Sequence, residues 1–253
     1  MSFENNDTIA PGFSMSFWDA VGLGRINGWS YIEKFGENLG IDTTTDPEDI
    51  WSQGGLYVFS TTEDIDSISS SSATDDQEIT VEGLDLGCCP VVQTVTLDGQ
   101  NRVALDTPLY RCYRAYNSDS TALAGDVYIY VNGAITDGVP DTAAGIKAKI
   151  TIGSGQTEMC IYTIPSGKTG YFIGGYVSKS RAIASVADFT SRVITDGGVE
   201  RVLSRISTTS SWQYKYPIPI ALAARTDVFL RCETVSANGT GVSGGFTIAL
   251  KDN

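Results

Sequence analysis

Histidine is absent from the 253-residue chain. It is the commonest general base, metal ligand and physiological pH switch in proteins, so its absence lowers the expectation of an enzyme. Cysteine is scarce, with five residues and no CxxC pair, so the spacing of a structural zinc site is missing. Cys88 and Cys89 are neighbours and lie closer than a relaxed disulfide requires. We predict that all five cysteines are free thiols.

Long apolar runs are also missing, and none approaches the roughly 20 residues of a membrane helix. Residues 1–7 lack the basic and apolar regions of a secretory signal. We therefore expect a soluble protein, made in the cytoplasm, with no membrane partner. Basic residues are few: 17 Lys and Arg against 30 Asp and Glu give a formal charge of −13. This balance argues against a nucleic-acid partner and suits a solvated surface.

Two short motifs resemble functional sequences but lack the partners that those sequences need. Residues 241–245 match G-x-S-x-G around Ser243, yet a strand-like run follows and no histidine exists to complete a triad. Residues 166–169 resemble the end of a phosphate-binding loop, but Tyr162 stands where its first glycine belongs. We predict a flexible loop at the first motif and a hairpin turn at the second.

An acidic cluster could supply oxygen ligands for Ca²⁺, although it has no EF-hand frame. The cluster consists of Asp64, Asp66, Asp75, Asp76 and Glu78. A solvated acidic loop is the favoured interpretation. With these candidates set aside, we predict no catalytic residue, no cofactor and no metal.

From residue 56 onward, apolar and polar residues alternate with a period of two, as in antiparallel strands that cover a core on one face. The clearest runs are residues 78–82, 126–131, 146–152, 228–233 and 246–250. Pairs such as Asp98-Gly99 and Asn238-Gly239 between the runs indicate tight turns, because these residues tolerate positive φ. The pattern predicts an all-β fold, an antiparallel β-sandwich resembling a jelly roll. The predicted body covers residues 49–253, with a subdivision or a long loop near residues 133–145.

Residues 1–48 differ in character and are predicted to be an extended arm with a short helix. Residues 1–28 have no steady period, so they cannot form a core of their own. The helix is predicted over residues 29–39, where four apolar residues fall on one helical face before Gly40. A second helix start is predicted at residues 46–51, which offer an N-cap, a proline and acids in the first turn.

Aromatic residues mark the arm as a docking segment. The proposed docking side chains are Phe13, Phe17, Trp18 and Trp29. Elsewhere, Tyr128 and Tyr130 share one strand face, which either packs on a second sheet or, with Trp212, offers stacking surfaces to a sugar. The second-sheet interpretation is favoured.

One block of sequence is similar to a known family. The letters KFGEN at 34–38, IDT at 41–43, DPEDIW at 46–51 and GGLY at 54–57 look like the opening block of a family of tailed-phage virion proteins. Shorter pieces at 79–85, 93–99, 114–116, 162–168 and 245–253 are similar too. The resemblance runs from about residue 30 to the C-terminus and leaves out residues 1–28. It implies a β-sandwich virion component that is not an enzyme.

The acidic surface, the aromatic arm and this resemblance together favour a capsid decoration or cement protein. Such a protein would lie on the capsid surface of the virion, bind the outside of the head through its arm and stabilise the shell. The expected partners are the major capsid protein and sister copies in a homotrimer. Two alternatives stay open: a neck, tail or baseplate component, and a lectin-like sugar-binding module.

Overall fold

The computed structural model describes residues 15–179 and 184–253. These residues form one α-helix, α1 (Phe17–Gly22), and eighteen strands. The strands are β1 (Trp29–Ile41), β2 (Glu48–Asp49), β3 (Ile65–Ser70), β4 (Glu78–Leu84), β5 (Pro90–Thr96), β6 (Val103–Leu109), β7 (Arg111–Asn117), β8 (Val127–Val131), β9 (Ile135–Thr136), β10 (Val139–Pro140), β11 (Ile146–Ile150), β12 (Ile161–Thr163), β13 (Lys168–Lys179), β14 (Ala187–Ile194), β15 (Glu200–Thr208), β16 (Ser211–Leu222), β17 (Asp227–Val235) and β18 (Thr240–Asp252). The prediction of an all-β protein is confirmed.

The strands pair antiparallel in four main sheets. Two sheets, ordered β11-β8-β3-β6 and β5-β4-β7, belong to the first sandwich. The other two, ordered β1-β18-β13-β16 and β12-β17-β14-β15, belong to the second, where β2 also pairs with β17. Strands β9 and β10 form a small hairpin between β8 and β11, so residues 133–145 connect neighbouring strands of one sheet.

Each sandwich has its own hydrophobic core. The first core includes Ile68, Ile79 and Ile129, all fully buried. The second includes Phe172 and Phe246. Strands β1 and β2 precede the first sandwich in the chain but pair with strands of the second, so the first sandwich is inserted into the second. Among the described residues, no helix is long and apolar enough to span a bilayer.

The helix predicted over residues 29–39 is wrong, because this segment is strand β1, paired with β18 from Trp29 opposite Lys251 onward. The backbone at Gly36 packs tightly against neighbouring backbone. A Cβ on Gly36 would lie 2.7 Å from the Cys160 nitrogen and 2.8 Å from the Met159 Cα. The strand fits this narrow space, and its ladder with β18 outweighs the helical spacing of four apolar residues.

The helix start predicted at residues 46–51 is also wrong. Asp46 accepts a hydrogen bond from the Val235 amide at 3.0 Å instead of capping a helix. Asp49 pairs with Arg231 at 2.7 Å, and its short strand β2 joins the edge of the second sandwich. The acids that suggested a helix N-terminus therefore bind distant parts of the chain.

The turn predictions agree with the backbone. Gly99 and Gly239 follow Asp98 and Asn238, and both adopt positive φ between successive strands. The five cysteines are free thiols, as predicted, and of these only Cys89 is exposed.

Candidate docking surface

Helix α1 and the start of β1 form an aromatic cluster on the outer face of the second sandwich. The Phe17 ring lies 4.9 Å from Trp18 and 5.0 Å from Trp29, in both cases edge to face. The Trp29 ring stacks on Tyr171 of β13 at 5.2 Å. Edge-to-face and stacked pairs of this kind each contribute about 0.5–1.5 kcal/mol beyond the area they bury.

The six-residue helix depends on this cluster. Ser16 caps it by accepting a hydrogen bond from the Asp19 amide at 3.2 Å. A helix this short is marginal on its own, so packing must supply most of its stability. Val21 is buried against the sheet at the far end of α1. The cap, the ring cluster and Val21 therefore fix α1 on the body.

Three of the four predicted docking residues, Phe17, Trp18 and Trp29, lie together in this cluster and are half-buried. Phe13 lies outside the described residues. The rings that were expected to reach a partner thus pack on the chain's own sheet. Their role in docking stays a prediction, while their role in anchoring α1 follows from the contacts.

Strand register aligns further side chains in rows beside the cluster, because directly paired residues of antiparallel strands share a face. The first row is Tyr31, Ala249, Tyr171 and Ala221. The second row is Glu33, Thr247, Gly174 and Lys215. The third row is Phe35, Gly245, Tyr176 and Gln213. The small residues of β18 in these rows, together with Gly174 of β13, leave a shallow floor between taller side chains.

A groove of about 680 Å³ runs between α1 and this floor. Trp18, Tyr31 and Tyr176 supply aromatic walls to it. The Tyr176 ring lies over Gly245, where an added Cβ would be 2.6 Å from the ring carbon Cε1. Tyr31 and Tyr176 were not among the residues predicted from the sequence. Tyr31, Glu33 and Phe35 share the outer face of β1, but this face mixes aromatic and charged residues and so gives no clear period-two signal.

On the opposite side of β1, Lys34 points into the protein and is 5% exposed. Its Nζ donates a hydrogen bond to the Tyr113 carbonyl oxygen. No carboxylate among the described residues forms an ion pair with it. Burial lowers the pKa of Lys34 to about 8. This buried amine is a polar feature of the core, separated from the groove by the sheet.

A buried ion pair joins the two sandwiches. Arg111 of β7 donates from Nε and Nη2 to the two carboxylate oxygens of Asp227 in β17, each at 2.9 Å. Its Nη1 donates to the Ser60 carbonyl at 2.6 Å. Such a bidentate contact fixes geometry as well as charge. It holds the sandwiches in one arrangement.

The motif candidates have structural roles. Ser243 lies within strand β18, not in the predicted loop, and its hydroxyl is 2.7 Å from that of Ser178. Lys168 lies at the start of β13 and forms an ion pair with Asp252. The turn before it is not the predicted hairpin, because β12 and β13 belong to different sheets. Neither site has the strand–turn–helix context of the motif it resembles.

The acidic cluster and the two tyrosines of β8, which the sequence also suggested as candidates, have structural roles. Within the two described segments, no group of three or more acidic or thiol side chains is arranged to hold a metal ion. Asp75 of the acidic cluster is buried and accepts hydrogen bonds from the Ala124 and Gly125 amides. Tyr128 and Tyr130 are 6% and 0% exposed, so they belong to the core and cannot stack on a sugar.

Comparisons with known proteins add little to this picture. No protein-family model matches the chain, and no curated protein matches it either. Among solved structures, that of the infectious bursal disease virus Gt strain is 11% identical over 90% of this chain and 73% of that chain, with a TM-score of 0.24. The crystal structure of the VP2 subviral particle of the same virus is 12% identical over 88% of this chain and 72% of that chain, again with a TM-score of 0.24. Likeness at this level carries no argument, so the role of the chain must be argued from its own residues.

Proposed function

We propose that this protein is a non-enzymatic structural component of a phage virion, a decoration or cement protein that binds the outside of the head and stabilises the shell. The resemblance of residues 34–57 to the opening block of tailed-phage virion proteins suggests this class of protein. The acidic composition supports an outward position, because a charge of −13 is poorly suited to facing packaged DNA.

The aromatic anchor is the observation that carries the proposal. Phe17, Trp18 and Trp29 attach the N-terminal segment to the sheet through Tyr171. Helix α1 is therefore fixed on the body four residues after Phe13 in the sequence, and a fixed attachment point lowers the ordering cost of binding through the preceding segment. Burying Phe13 on a capsid subunit would contribute about 2 kcal/mol per site. The contributions of the many copies on one shell would add to the total stability of that shell.

The proposed partners are the major capsid protein and sister copies in a homotrimer. A neck, tail or baseplate position is the alternative, and copy number separates the two. Hundreds of copies per particle support decoration, whereas six to about twelve copies support a neck or tail position. Quantitative gel analysis of purified virions gives this number, and light scattering of the free protein gives its oligomeric state.

Deletion of residues 2–14 tests the attachment role. Added to purified heads that lack the protein, the shortened chain should lose saturable binding, while its thermal unfolding should match that of the full chain. Leu86→Ala is the matched control, because Leu86 is 51% exposed and far from α1 in the sequence. Saturation of the heads by the shortened chain would overturn the role given to residues 1–14.

A further inference from the structure

The groove beside α1 has the size and composition of a small-molecule site. Its volume of about 680 Å³ lies within the usual range of roughly 300–1,000 Å³ for ligand pockets. One wall is the helix, with Trp18 and Leu23, and the floor is the outer face of β1, β18, β13 and β16. The walls combine apolar rings with several separate polar groups, as ligand sites commonly do.

Two tyrosine rings in the groove are open to solvent. Tyr31 is 52% exposed and Tyr176 is 39% exposed. The Tyr176 ring lies close to Gly245, where an added Cβ would be 2.6 Å from Cε1 and 2.9 Å from Cζ. Tyr31 lies next to α1, where a Cβ on Gly22 would be 3.8 Å from its Cε1. Flat exposed rings of this kind stack on the apolar C–H face of a pyranose.

Polar side chains without internal partners lie between these rings. They are Glu33, Thr247, Lys215 and Gln213. In residues 15–179 and 184–253, none of the four forms a hydrogen bond or an ion pair through its side chain. Together they present an acid, a hydroxyl, an amine and an amide, so both donors and acceptors are available. A ligand with many hydroxyl groups satisfies all four.

We propose that this groove binds a neutral oligosaccharide. Acidic ligands are disfavoured, because Asp19 and Glu33 outnumber Lys215 among the charged residues of the groove and the chain as a whole carries −13. An acidic glycan would be repelled. An apolar peptide would leave the four polar groups unpaired, at a cost for each. The site does not depend on attachment to a head, so either proposal can fail alone.

Titration of the full chain with beta-linked oligosaccharides tests the site, with cellohexaose and chitohexaose as the probes. Calorimetry should give saturable binding of at least one probe, and the tryptophan fluorescence of the chain should change along the same curve, because Trp18 lines the groove. Tyr176→Ala and Tyr31→Ala should each weaken this binding about tenfold. Trp212→Ala is the control, because Trp212 is 52% exposed on β16 but lies outside the groove. Its affinity should equal that of the unchanged chain.

Three results would overturn the proposal. The first is no saturable binding of either probe. The second is binding that Tyr176→Ala and Tyr31→Ala leave unchanged. The third is a change of oligomeric mass on Tyr176→Ala, which would show that another copy of the chain occupies the groove. Circular dichroism of each variant checks that a loss of binding is not a loss of fold.

Discussion

The two glycines of β1, at positions 36 and 40, differ sharply in the space they leave for a larger side chain. A Cβ on Gly36 would meet backbone atoms of Cys160, Met159 and Ile50 at 2.7–2.9 Å, whereas one on Gly40 has nothing within 4 Å. Gly36→Ala should lower the free energy of unfolding by about 2–4 kcal/mol, because backbone cannot move aside as a flexible side chain can. Gly40→Ala should change it by less than about 0.5 kcal/mol. Urea denaturation measures both, and equal values would contradict the tight packing at Gly36.

Lys34 should make the free energy of unfolding depend on pH. Burial lowers its pKa to about 8 in the folded protein, whereas the unfolded chain has the ordinary value near 10.4. Between these two pKa values the unfolded state binds more protons, so the free energy of unfolding rises with pH in that window. Below the folded pKa both states hold the proton, and the contribution of Lys34 no longer changes with pH. Lys34→Met keeps the aliphatic stem and removes this linkage. The unfolding free energy of the unchanged chain minus that of the variant should rise by about 1–2 kcal/mol from pH 7 to about pH 9.5.

The measurement compares the unfolding free energies of the unchanged chain and the Lys34→Met variant because other groups also titrate in this pH range. Tyrosines and cysteines titrate in the same range, and burial raises the pKa of Cys112 to about 12. These groups are present in both chains and largely cancel. A difference that stays flat across the pH series would show that Lys34 is not held in the desolvated position described above.

At the scale of elements, α1 should separate from the sheet without global unfolding. Phe17→Ala removes the ring that contacts both Trp18 and Trp29. The amides of α1 should then exchange with deuterium at least about tenfold faster, because the short helix has little stability without its packing. Amides at residues 34–38, which lie within the β1–β18 ladder, should keep their protection. Leu39→Ala, at a 51% exposed position, should alter neither region.

Strand β2 is held by a buried charge pair. The Asp49 side chain is 0% exposed and contacts Arg231, which is 11% exposed. Asp49→Ala should cost about 3–5 kcal/mol, because it leaves the guanidinium buried with less compensation. Asp252→Ala breaks the more exposed pair with Lys168 and should cost less than about 1 kcal/mol. Thermal unfolding of the two variants provides the comparison, and similar losses would contradict the importance of burial.

Elements with strict alternation were predictable from sequence, and β1 was not. Strands β4, β8, β11, β17 and β18 carry the period of two that indicated them. In β1, Ile32 and Phe35 lie on opposite faces of a sheet that is covered on both sides, partly by α1. Its apolar residues therefore follow no single face, and helical spacing among them is a coincidence. The aromatic residues of the cluster were identified, but the groove depends on a register across four strands that no local pattern reports.

At the scale of the whole molecule, β1 belongs to the second sandwich although it is far from most of that sandwich in sequence. A chain of residues 29–253 keeps the β1–β18 ladder, whereas a chain of residues 42–253 loses it and exposes the edge of β18. The longer chain should unfold cooperatively. The shorter one should aggregate or lose its sharp transition, because an open hydrophobic edge strand promotes association. Size-exclusion chromatography and calorimetry of both chains check this, and a monomeric, cooperative 42–253 chain would contradict it.

The pairing of β1 with β18 also makes mechanical strength depend on direction. Trp29 lies opposite Lys251, so the two strands enter and leave the sheet side by side at one end of the ladder. A pull that separates these two ends loads one hydrogen bond after another and opens the ladder like a zipper. A pull on residue 28 along the axis of β1, against the body, loads the whole ladder at once in shear. The protein should resist the second pull at much higher force, and this is the direction in which the proposed attachment through the N-terminal segment would load it.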